Sequence, residues 1–194
     1  LAGFFAIFSD LGLNSVLTKE IAQKSDEKKG FFATAFWIKT ALLAATTILI
    51  LFVAPYFSNI KPALFLLPLT ALLAVFDGFR DFLVSLFRGE EKMEKEALTA
   101  FITNAAIAVF GLVTLRILPS AFAFTASYVA SAGLGALAAS YLGWKYLKNI
   151  LKNFNKDLVK PMISAALPLA FHTAIGIFML NTDIIMIGWF KSAE

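Results

Sequence analysis

The chain is 194 residues long, 59% hydrophobic and 14% aromatic, with 21 phenylalanines, a mean hydropathy of +0.79 and a formal net charge of +4. That apolar content exceeds the roughly 45–50% of soluble domains and marks an integral membrane protein, while the absence of cysteine excludes disulfides, thiolate metal sites and thiol catalysis. The excess of positive charge does not point to nucleic acid, because the basic residues gather in the connections between apolar spans instead of forming a binding stripe.

In chain order, residues 1–17 read as the end of a membrane helix, too short to be complete. The run starts at Leu1 and not at Met, so the sequence is expected to be a fragment of a longer protein. Thr18 to Gly30 is polar, and Ser25 followed by Asp26 and Glu27 predicts an N-cap with acids in the first turn of the next helix. That helix runs from about Phe31 to Phe57 and holds one charge, Lys39, ~12 Å from its start. Pro55 and a short linker turn the chain, and Pro62 suits the first turn of a third span reaching Phe87.

The third span carries the feature on which the rest turns. Asp77, Arg80 and Asp81 stand inside an apolar helix, ~10 to 16 Å before Arg88, which puts Asp77 near the middle of a hydrocarbon layer ~30 Å thick. Each charge there costs ~2.5–3.5 kcal/mol on insertion scales. Asp77 and Arg80 are three residues apart on one helix face and can pair, but Asp81 repeats the negative charge four residues after Asp77. A partner or a watery cavity is therefore required.

A fourth span is predicted over Ala97–Leu118 and a fifth over Ala121–Trp144, the latter carrying Ser127, Ser131, Gly133, Gly135 and Ser140, small residues that let helix backbones approach closely. From Lys145 to Lys160, lysines recur opposite Ile150, Leu151, Phe154, Leu158 and Val159, the pattern of an interfacial amphipathic helix. Lys148, Lys152 and Lys156 are its expected contacts with anionic lipids. The sixth span, Met162–Phe190, contains His172, Asn181 and Asp183. The fold class is thus all-α, a polytopic transmembrane bundle with six membrane segments.

Alternate connections hold Lys19, Lys24, Lys28 and Lys29, then Arg88, Lys92 and Lys95, then Lys145, Lys148, Lys152, Lys156 and Lys160, against Lys61, Arg116 and Lys191 on the other side. Twelve cations against three set the first group in the cytoplasm. Asp10, Lys39 and the Asp77, Arg80, Asp81 set then fall in the inner half of the membrane.

Each of these residues has a structural alternative. The Asp77 set can form an ion pair with Lys39, Lys39 can snorkel to the surface, and Asp10 can cap a helix break at Gly12. His172 can be a packing residue, and Asp183, ~33 Å along its helix, can simply approach the outer interface. Enzyme chemistry lacks its residues: the chain has no HExxH, no GxSxG, no Gly-rich phosphate loop and one histidine. No catalytic residue, metal site or cofactor is expected.

Three stretches, DLGLNSVLTKEIA (10–22), SLFRGEEKMEKEAL (85–98) and LPLAFHTAIGIFMLNTDIIMIGWFKSAE (167–194), resemble the corresponding segments of polysaccharide-biosynthesis flippases. These O-antigen and teichoic-acid exporters belong to the multidrug/oligosaccharidyl-lipid/polysaccharide exporter superfamily. The resemblance implies a transporter of two six-helix lobes in the plasma (inner) membrane that moves a polyprenyl-pyrophosphate-linked oligosaccharide from inner to outer leaflet by alternating access. Residues 1–147 would belong to the N-terminal lobe, 148–160 to a cytoplasmic amphipathic linker, and 161–194 to the first helix of the C-terminal lobe. Lys39, Arg80 and Asp10 would contact substrate, and Asp77, Asp81 and Asp183 would carry a coupling proton or sodium ion. Two cations against four acids leave the set net negative, however, whereas a pyrophosphate needs positive partners. A cation-coupled multidrug antiporter of the same superfamily, or a non-transporting scaffold of a glycan-assembly complex, are the competing readings.

Overall fold

A computed structural model describes residues 9–23, 28–53, 55, 65–148 and 150–190, and their side chains except those of 174, 177, 178 and 180–190. No strand occurs among the described residues. The chain forms α1 (Leu13–Gln23), α2 (Lys28–Ile48), which continues as a π-helical turn Leu49–Val53, α3 (Leu67–Gly89), α4 (Met93–Ile117) and α5 (Ala121–Leu142). A short α6 (Trp144–Leu147), a 3-10 turn (Lys156–Leu158) and α7 (Val159–Phe190) complete it. The expected cap at Ser25 and the proline at 62 lie outside the described residues; Pro68 occupies the first turn of α3.

Three helices among the described residues are long and apolar enough to cross a membrane: Lys28–Val53, Met93–Ile117 and Ala121–Leu142. In α4 the usual arrangement is inverted. Its buried residues are Thr99 and Thr103, while Phe101, Val109, Leu112, Leu115 and Ile117 are exposed. An apolar outer face of that extent is stable only against lipid or another protein surface. Both threonines donate to the carbonyl four residues back, Thr99 to Lys95 and Thr103 to Thr99, each at 2.8 Å, so neither leaves a hydroxyl unsatisfied.

The hub is α3, which packs against α1, α2, α4 and α5. Its Phe82, Leu83, Leu86 and Phe87 meet Leu13, Leu17 and Ile21 of α1 and Phe31 and Phe32 of α2 in one buried cluster. The small residues of α5 pack closely, as their spacing predicts: a side chain at Gly133 would press on the Phe76 ring at 3.3 Å, and one at Gly135 would collide with Thr103. The basic connections come together at one end of the bundle. There Lys95 Nζ donates to the Leu142 carbonyl at 3.0 Å and stands over the Phe87 ring, and Lys92 Nζ donates to Glu90 at 2.9 Å.

The stretch 145–160 is not one amphipathic helix. After α6 the chain runs through turns and irregular backbone to the 3-10 segment. Asparagine chemistry explains the difference: Asn155 Oδ1 accepts from the Asp157 amide at 2.9 Å, and the Asn155 backbone exchanges hydrogen bonds with the Thr34 hydroxyl, both at 3.2 Å. These local bonds compete with the helical ladder. The apolar positions are split accordingly, with Ile150 buried in the core and Leu151 exposed.

A side-chain contact at this end is testable by pH. Glu90 accepts from both Lys92 and the Tyr146 hydroxyl. Burial works to raise the Glu90 carboxyl, but the bonds from Tyr146 and Lys92 together outweigh it and hold the pKa below the ordinary 4.5, while burial and the Glu90 bond raise that of Tyr146. Because the folded-state pKa of Glu90 is depressed, its stabilising contribution is present above pH 4.5 and is lost as pH falls through the folded value. Tyr146→Phe is expected to lower stability by about 1.5 to 3 kcal/mol at neutral pH, as for a bond to a charged acceptor. Thermal unfolding of both proteins across acidic pH should show the gap closing below 4.5; a gap independent of pH would refute this role for Glu90.

Candidate functional site

The site begins at an interruption. Ser9 and Asp10 are helical, but Leu11 and Gly12 turn the backbone into left-handed geometry at φ 43° and 75° before α1 resumes. Gly12 tolerates this conformation, and it also lies so close to α7 that a β-carbon would sit 2.7 Å from the Leu169 β-carbon and 2.8 Å from the Ala166 carbonyl. Asp10 then does two things that the sequence leaves as alternatives. Its Oδ1 accepts from the Asn14 amide at 3.1 Å, capping α1, and the same oxygen meets Lys39 Nζ at 3.4 Å.

Lys39 does not snorkel. It is 1% exposed and held inside the bundle, 29 residues from its partner in sequence. Nor is it the partner of the α3 set. Arg80 serves both neighbouring acids, with Nη1 at 2.7 Å from Asp77 and Nη2 at 2.9 Å from Asp81, and Nε also donates to Asp81 at 3.1 Å. The repeated negative charge is thus absorbed by one planar guanidinium that offers donors in two directions.

These groups border three adjoining cavities. One, of about 330 Å³, is lined by Asp10, Asn14, Lys39, Thr70, Asp77 and Asp81. A second of the same volume takes in Asn14, Ser15, Thr18, Ser85 and Arg88, and a third of about 240 Å³ takes in Arg80, Arg88, Glu96, Thr103 and Asn104. Asp81 borders all three and its side chain is 54% exposed. The cavity lining follows α3 from Thr70 to Arg88; toward Thr70 it is largely apolar, with Leu73 and Ala74 in the wall, and its charged part runs from Asp77 to Arg88, ~16 Å along the helix. A dry ion pair would expose little of its carboxylate; this set lines an open polar groove.

Arg88, Glu96, Asn14 and Asn104 line the groove, with Thr18, Ser85, Thr99 and Thr103 in its wall, although the sequence reading gave them no such place. Arg88 Nε donates to both Glu96 oxygens at 2.9 and 3.0 Å. Its signal was available: residues 77, 81, 84 and 88 recur at helical spacing on one face. Asn14 Oδ1 is buried without a hydrogen-bond partner among the described residues. His172 is exposed on α7, and the side chain of Asp183 lies outside the described residues. Within the described set, Asp10, Asp77 and Asp81 face Lys39 and Arg80, and Arg88 and Glu96 cancel, so the surplus is a single negative charge.

Comparison with curated proteins and with solved structures gave no match. The family model described as "Polysaccharide biosynthesis protein" matches residues 1–194, the whole chain. With apolar helices of membrane-spanning length and a match of that extent, the chain belongs to the polysaccharide biosynthesis protein family.

Proposed function

We propose that the protein is a flippase that carries a polyprenyl-pyrophosphate-linked oligosaccharide from the inner to the outer leaflet of the plasma membrane by alternating access, without catalysing a covalent step. The observation that supports this reading is the charged groove along α3 from Asp77 to Arg88, ~16 Å long, in a chain whose family works in polysaccharide biosynthesis. Six membrane segments, a first lobe over 1–147 and a second beginning at 161 are part of the same proposal.

The groove offers a route for a charged head group. Arg88 stands at its basic end and Arg80 further in, with the amides of Asn14 and Asn104 alongside to meet sugar hydroxyls. Asp81 is the more exposed of the two acids on Arg80, so an entering pyrophosphate displaces Asp81 first and takes over its donors in bidentate form. The released carboxylate then accepts a proton or sodium ion, which supplies the missing positive charge and couples transport to an ion gradient. Lys39 and Asp10 form the inner wall, with Asp77 holding Arg80 in register.

Loss of the gene is expected to leave lipid-linked glycan on the inner leaflet, scored by its protection from an impermeant glycosidase. The surplus acid favours a cation-coupled drug antiporter as the second reading; drug hypersensitivity with normal glycan export would select it. Neither phenotype would leave a scaffold.

The same proposal fixes topology. The chain has no cysteine, so single cysteines at Ser120 and Lys92 can be labelled cleanly. Lys92 should react with impermeant maleimide only from the inside and Ser120 only from the outside, since the basic connections define the cytoplasmic face. Labelling of both from one side would overturn the arrangement.

A further inference from the structure

A separate cavity, of about 680 Å³ and almost wholly apolar, lies between the 3-10 turn and the start of α7. Phe154, Val159, Ile163 and Leu167 form its walls, and Lys156 and Lys160 stand at its rim. Val159, Ile163 and Leu167 recur every four residues, a continuous apolar stripe that descends α7 for ~12 Å. Lys156, Lys160 and Ser164 follow the neighbouring stripe at the same spacing. Phe154, Ile163 and Leu167 are exposed, and no ion pair engages either lysine among the described residues. Asp157, the acid between them in sequence, does not line the cavity.

We propose that this groove binds one anionic phospholipid of the membrane, with its phosphate on Lys156 and Lys160 and an acyl chain along Val159, Ile163 and Leu167. Charge complementarity selects the occupant: two unpaired cations at the end of the bundle where the basic connections gather, above an apolar slot, match a head group over a chain. Neither lysine borders the cavities along α3, so loss of lipid retention and loss of transport are separate readouts. It also narrows the expected lipid contacts. Lys156 is retained and Lys160 added, whereas Lys148 and Lys152 do not line the slot.

The test is native mass spectrometry of the detergent-purified protein after exposure to mixed micelles of equal phosphatidylglycerol and phosphatidylcholine. The protein should retain phosphatidylglycerol preferentially. Lys156→Gln with Lys160→Gln should reduce that preference about thirtyfold, at about fivefold for each lysine near a head group. Ile163→Trp should narrow the slot and lower retention of both lipids, and Lys148→Gln with Lys152→Gln should behave as the parent. Circular dichroism and monodisperse elution establish that each variant is folded. Retention of no lipid, equal retention of the two lipids, unchanged binding by Ile163→Trp, or an equal loss in the Lys148 and Lys152 variant would each overturn the proposal; the last would indicate a diffuse basic belt.

Discussion

Replacing Arg80 with lysine is expected to cut glycan export about thirtyfold while leaving the protein in the membrane at near-normal abundance. Lysine keeps the charge but loses the planar fork, and a lost charge-assisted hydrogen bond is worth about 2 kcal/mol, which converts to that factor. Arg80→Ala should lose export altogether and some abundance as well, because Asp77 and Asp81, both now on Arg80, would face each other one helical turn apart. The decisive variant is Asp77→Asn with Arg80→Gln. Removing both members of a pair withdrawn from water is often nearly neutral for folding, and Asp77 and Arg80 are half-buried together. Normal abundance with no export would support Arg80 as a substrate contact. Normal export from this double variant would show that Arg80 only neutralises its neighbours.

Lys39→Met is expected to be the most damaging single change to stability. It removes the partner of Asp10 from a site where Lys39 itself is 1% exposed, and breaking a buried pair costs about 3 to 5 kcal/mol. The lower end applies, since Asp10 is 31% exposed and the separation is a long 3.4 Å. Lys39→Met with Asp10→Asn should recover most of the loss, because asparagine still caps the Asn14 amide. Asp10→Ala in place of Asn should recover less, by about 1 kcal/mol for the lost cap. Thermal unfolding of the four proteins in detergent reads these differences. Equal recovery with Ala and Asn would refute the capping role, and a single variant as stable as the parent would refute the buried pair.

The sequence made some of this legible and concealed the rest for identifiable reasons. Asp77 and Arg80 meet at 2.7 Å because three-residue spacing fixes their relation within one helix. Lys39 and Asp10 belong to different helices, and their pairing depends on how α2 is rotated against the broken helix before α1, which no local spacing encodes. The capping role of Asp10 was visible through the Gly12 next to it; that the same oxygen also meets Lys39 was not. Arg88 was hidden by its own cluster, since a cation beside Lys92 and Lys95 reads as a topology signal before it reads as groove lining. At 145–160 the alternation of lysine with apolar residues pointed to a helix, and Asn155 overrode it by bonding its neighbour's amide.

The inverted α4 and the charged α3 also bear on how the molecule comes to be assembled. By composition α4 and α5 can partition into a bilayer unaided. The sequence of α3 is different: its dozen Leu, Val and Phe residues offer at most about 7 kcal/mol of insertion free energy, against about 9 for Asp77, Arg80 and Asp81. Arg80 offsets part of that deficit by holding Asp77 and Asp81, and the groove around them is enclosed by Asp10, by Asn14 of α1, by Lys39 of α2 and by Asn104 of α4, so the hub of the bundle carries charges that only its neighbours in the assembled fold surround.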